Sequence, residues 1–114
     1  MMKDPTFDRE GYPTEETLQD IRNWKITDRV SASELMNFCF TAWSDYGTKA
    51  YTDWEGYVSG YTTCELHTGG WSGNEDIMGA LMDNYVFWNF CWKESKRGGH
   101  YKFDLSTLPI VKGE

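Results

Sequence analysis

Apolar residues recur along the chain in two rhythms, one helical and one alternating, and the change between them sets out the predicted elements. Thr14 precedes Glu15 and Glu16, placing a capping hydroxyl and two acids at the positive end of a helix dipole, with Leu18 and Ile21 as the inner face. A short helix is predicted from there to about Trp24. The segment Ser31–Glu34 has capping-box spacing, with Ser31 as N-cap and Glu34 reaching back to its amide. Leu35, Phe38, Cys39, Ala42 and Trp43 follow at three- and four-residue steps, and Gly47 ends this second helix after Tyr46.

From Tyr51 to Thr68 the composition shifts to Tyr, Thr, Val and Cys, interrupted by Gly56 and Gly60, which predicts one or two strands. The better-marked strand runs from Tyr61 to Thr68. In it Thr62, Cys64 and Leu66 alternate with Thr63, Glu65 and His67, one face for a helix and the other for solvent or a site. After the turn T-G-G-W-S-G, Asn74, Glu75 and Asp76 open a long helix expected to reach about Lys96 and to end on Lys93, Lys96, Arg97 and Gly98. Its core stripe is Ile77, Met78, Leu81, Tyr85, Trp88 and Trp92. A last strand, His100 to Leu105, sets Tyr101, Phe103 and Leu105 against Lys102 and Asp104.

These elements specify an α+β fold: a small antiparallel sheet of two to four strands packed against a long helix in the C-terminal half and two shorter N-terminal helices. The 114 residues suit one domain, with 1–13 as an irregular lead-in held by Phe7 or Tyr12 and 106–114 as an irregular tail. Aromatics make up 17% of the chain, enough large side chains to build a core.

The net charge of −7 disfavours direct contact with nucleic acid or anionic lipid. Neither a signal peptide nor a membrane span is legible, and three cysteines, Cys39, Cys64 and Cys91, cannot all pair within the chain. A reducing, cytoplasmic setting is expected.

Two glycine turns are the candidate ligand loops, at opposite ends of a helix of about 21 residues and roughly 30 Å. In the first, Thr68, Gly69, Gly70, Trp71, Ser72 and Asn74 offer backbone amides, a stacking ring and hydrogen-bonding groups for an anion or a planar ring. Glu75 and Asp76 oppose a phosphate there, and the same residues also read as a purely structural turn. In the second, Lys96, Arg97 and His100 form a basic group around two glycines, which also reads as ordinary helix C-capping.

On the expected long helix, Asp76, Asp83 and Glu94 share an azimuth with Phe87 and Phe90. Those aromatics are covered by the lead-in or tail, lie on a helix buried nearly all round, or form a partner surface, a homodimer included. Catalysis would draw on His67 or His100 with Cys64, Glu65 or Ser72, but no complete catalytic signature is present. Cys64 and Glu65 point to opposite faces of their strand, and the spacings of a zinc site are missing, so neither metal nor other cofactor is expected.

The run H-T-G-G-W-S-G-N-E at His67–Glu75, F-W at Phe87 and Trp88, C-W at Cys91 and Trp92, and R-G-G-H-Y at Arg97–Tyr101 resemble a group of small proteins encoded by phages and prophages. The resemblance covers about the last half of the chain and brings no catalytic residues. It implies a phage accessory protein in the bacterial cytoplasm. The expected function is non-enzymatic inhibition of a host defence system, by occluding a host protein or by sequestering a nucleotide signal. The alternative is a small hydrolase or transferase using His67 or His100.

Overall fold

The computed structural model describes residues 3–53 and 60–109. The order is α1 (Glu15–Arg22), α2 (Arg29–Ala42), β1 (Thr48–Asp53), β2 (Tyr61–His67), α3 (Ser72–Asp83), α4 (Tyr85–Cys91), β3 (Trp92–Lys96) and β4 (His100–Asp104), closed by a 3-10 turn at Leu105–Thr107. The strands form one antiparallel sheet in the order β1-β2-β4-β3. The α+β class and the small antiparallel sheet of the sequence reading are both present.

Alternation decides which face of the sheet is buried. Cys64 and Leu66 of β2 and Phe103 of β4 are buried with Leu35, Met36 and Cys39 of α2, Ile77 and Leu81 of α3, and Phe87 of α4. Thr14 caps α1 by accepting from the Thr17 amide, as its position before two acids predicts. The lead-in is pinned by Thr6, whose amide donates to Thr17 Oγ1 at 2.7 Å, and by Tyr12, whose ring lies 4.8 Å from that of Trp71.

Three expectations are corrected. Helix α2 begins earlier than expected: Asp28 is its cap, and Asp28 and Ser31 form the reciprocal pair that Ser31 and Glu34 were expected to form. The acceptor two residues after Ile26 captures the free amides first, so Ser31 serves as the third helical residue.

The long helix does not exist as one element. It stops at Asp83, where Asn84 donates its amide to the carbonyls of Ala80 and Leu81 and adopts φ −85 and ψ 88. Asn84 Oδ1 then accepts from the Phe87 amide to cap α4, while Nδ2 donates to the carbonyls of Ile21 and Trp24 at the end of α1. One buried asparagine, through its backbone and its side chain, thus serves three helix ends, which favours a break over continuation.

Past Cys91 the chain becomes strand β3, hydrogen-bonded to β4 through a hairpin at Arg97–Gly99. Gly98 and Gly99 take φ values of +91 and +80, so the glycine pair read as a helix cap is a hairpin turn. The expected core stripe holds only in part: Ile77, Met78 and Leu81 are buried and Trp88 is half-buried against the core, whereas Tyr85 and Trp92 are exposed. The expected interruption at Gly56 lies outside the described residues.

Candidate functional site

Because α4 is short and β3 returns along β4, the two glycine turns meet. The Thr68 amide donates to the Gly99 carbonyl at 2.9 Å. The roughly 30 Å separation expected from a continuous helix is therefore replaced by a hydrogen bond.

Antiparallel pairing then lines up two rows across the outward sheet face. His67 of β2 stands opposite His100 of β4, which stands opposite Lys96 of β3. One step along, Glu65 stands opposite Lys102, which stands opposite Glu94. These six side chains and Tyr101 line an open depression of about 320 Å³.

With Glu65 ionised and both rings neutral, the contacts of the histidines admit one arrangement of hydrogens. His67 Nε2 lies 3.2 Å from Glu65 Oε1, and His67 Nδ1 lies 2.8 Å from His100 Nδ1. An ionised carboxylate only accepts, so Nε2 of His67 carries hydrogen and donates to Glu65. Nδ1 of a neutral His67 is then an acceptor, the hydrogen between the rings belongs to His100, and His100 Nε2 keeps a free lone pair. The chain Glu65–His67–His100 is a directed relay ending at the surface. Lys96 pairs with Glu94 at 3.4 Å, while among the described residues Lys102 is in no ion pair within 4.0 Å.

Of the expected ligand residues, Lys96 and His100 line this depression, and Arg97 is exposed on the adjoining hairpin. The first loop is organised internally. Asn74 is buried, accepting from the Ser44 amide and donating to the carbonyls of Ser44 and Thr68. Thr68 is buried, and Gly69 and Gly70 turn the chain at positive φ. Trp71 packs between Tyr12 and Tyr46, and Ser72 Oγ donates to the Tyr12 hydroxyl at 3.0 Å.

The five expected interface residues do not share a surface. Asp76 and Asp83 are exposed, Asp83 within 3.4 Å of Arg22. Phe87 is a correction: the break at Asn84 turns it inward, where its ring lies 5.3 Å from that of Phe103. Phe90 remains 54% exposed. Glu94 is a second correction, since it leaves the helix altogether and lines the sheet depression.

Cys64 cannot serve the histidines, because it faces the core and burial pushes its thiol far above the usual range. Burial likewise raises Cys39, and it pushes Cys91 up to about 12. Such thiols are not nucleophiles near neutral pH.

The grouping of His67, Glu65 and Lys102 with the basic turn was missed in the sequence. A signal existed: L-H-T-G-G ends one strand and R-G-G-H-Y begins another, so antiparallel pairing with the glycines at one end sets the histidines opposite each other. No family model, curated protein or solved structure matches the chain. Among the described residues no helix is long and apolar enough to cross a membrane.

Proposed function

We propose that the protein is a non-enzymatic phage accessory protein that inhibits a bacterial defence system by sequestering a nucleotide signal, holding its phosphate on the outward sheet face. The observation that carries this reading is the pair of imidazoles beside Lys96 and Lys102 in one depression of a chain whose net charge is −7. Glu65 is engaged by His67 and Glu94 by Lys96, which leaves Lys102 to meet an anion. A depression of about 320 Å³ is at the lower end of small-molecule sites and suits a phosphate with its sugar. The phage origin and the defence role rest on the resemblance of His67–Glu75 and Arg97–Tyr101. Occlusion of a host protein has less support, because Phe87 is buried and Glu94 lies apart from Asp76 and Asp83.

The test is a titration of EDTA-treated protein with AMP and, separately, with inorganic phosphate, followed by NMR. The expected result is movement of the His67 and His100 ring signals, weakened by salt and by about tenfold in Lys102→Ala. Rings that do not move at millimolar concentrations of either compound would rule the reading out.

The relay favours one second reading, a small hydrolase or transferase in which His100 Nε2 acts as general base, oriented through His67 by Glu65. His67→Ala and His100→Ala then each abolish the biological effect. Full effect in both variants excludes it.

A further inference from the structure

The same histidine pair has a second chemistry that anion capture does not require. We propose that His67 Nδ1 and His100 Nδ1 form a cross-strand chelate for a divalent transition metal, with Glu65 as the carboxylate that orients His67 from behind.

Distance is the first ground. Metal–imidazole bonds of about 2.0–2.1 Å put two cis nitrogens at near 90° about 2.9 Å apart, whereas a tetrahedral angle needs about 3.3 Å. The two Nδ1 atoms stand 2.8 Å apart. The spacing thus fits the right-angled sites of Ni(II) or Cu(II) directly, and Zn(II) after a small opening of the pair.

Orientation is the second ground. His67 Nε2 lies 3.2 Å from Glu65 Oε1, and an ionised Glu65 accepting there favours the tautomer that leaves the Nδ1 lone pair on the His100 side. A carboxylate on the far nitrogen of a metal-ligating histidine is the usual supporting arrangement, raising the basicity of the ring and locking its plane. For His100 the hydrogen now on Nδ1 moves to Nε2, the nitrogen facing solvent. The metal sits to one side of the line between the two nitrogens, and each ring turns to aim its Nδ1 lone pair at it.

The surroundings define what kind of site this is. Glu65 from β2, Glu94 and Lys96 from β3, and Lys102 from β4 are the charged groups facing the pair. Among the described residues no group of three or more His, Cys, Asp or Glu side chains converges on one point. The protein therefore supplies two ligands and leaves the remaining positions to water or to an anion drawn by the lysines. Directly opposed residues on antiparallel strands are held by the sheet itself, so the two imidazoles are brought together before the metal arrives, and what remains is the turn of the rings and the move of the His100 hydrogen.

Ni²⁺ is the probe, added alone to tag-free protein and read by calorimetry and by thermal unfolding. We expect one Ni²⁺ per chain and a rise in Tm of about 5 °C or more at ten times the dissociation constant. His67→Gln and His100→Gln, which keep a polar side chain at each position, each weaken binding at least tenfold and abolish the rise in Tm. Glu65→Gln weakens binding less than either. No binding below about 1 mM, or one-to-one binding that survives in both histidine variants, overturns the proposal. Because no nucleotide or phosphate is present, failure here leaves anion capture standing, and failure of anion capture in EDTA leaves the chelate standing.

Discussion

At the scale of single residues, Asn84 determines more of the architecture than its sequence context announces. It is buried, it ends α3, caps α4 through Oδ1, and donates to two carbonyls at the end of α1 at 2.9 and 3.0 Å. Replacing it with Ala removes the cap of α4 and both side-chain bonds to the end of α1, and we expect a loss of about 2–4 kcal/mol in urea unfolding with an unchanged m-value. Asn84→Asp is no remedy, since it keeps the cap but sets an unpaired carboxylate against carbonyl oxygens. The reading from sequence passed over Asn84 because the aromatics around it continue a 3.6-residue rhythm on both sides. By contrast Thr14 and its two acids were legible, because a cap followed by acids needs no tertiary partner.

Asp104 gives a residue-scale prediction in pH. The Ser106 hydroxyl donates to its carboxylate, holding Asp104 below its ordinary value of 3.8. A group depressed in the folded state stabilises above its unfolded pKa, and that stabilisation disappears as pH falls through the folded value. Wild type should therefore lose stability below about pH 4 more steeply than Ser106→Ala. The difference is at most about 1 kcal/mol because the site is partly exposed. Equal acid slopes in the two proteins would refute the assignment.

At the scale of elements, the informative failure is the passage from α4 to β3. Strand β3 reads W-K-E-S-K and is exposed along nearly its whole length, so it has no buried face and no alternation for a pattern to register. Strands β2 and β4 were legible because Cys64, Leu66 and Phe103 each face the core and alternate with polar neighbours. The hairpin joining β3 to β4 depends on its glycines unequally. A Cβ on Gly98 meets nothing closer than His100 Nε2 at 3.2 Å, whereas a Cβ on Gly99 falls 2.1 Å from Thr68 Oγ1. Gly98→Ala should lower stability by about 1 kcal/mol through its positive φ alone. Gly99→Ala should lower it by roughly 2 kcal/mol or more and should also move His100 away from His67, visible as altered imidazole signals. Equal losses in the two variants would mean that the Thr68–Gly99 contact does not position the pair.

At the scale of the whole molecule, strand order explains why a site falls where it does. The order β1-β2-β4-β3 places His67 and His100 on the two central strands, while Lys96 and Glu94 come from the edge strand β3. That edge carries lysines and a bulge between Trp92 and Glu94, features that oppose pairing with another sheet. This order was not legible, since it depends on β3, the strand without a pattern. It joins a histidine pair on two central strands to a charged rim on an edge strand, and native-state hydrogen exchange should show the contrast. Amides linking β2 to β4 should exchange only through global unfolding, and those of β1 and β3 through local opening at least tenfold faster. Ligand or metal on the pair should slow the β3 amides towards the central rate only if Lys96 and Glu94 take part in holding it. Slowing confined to β2 and β4 would restrict the binding surface to Glu65, His67, His100 and Lys102.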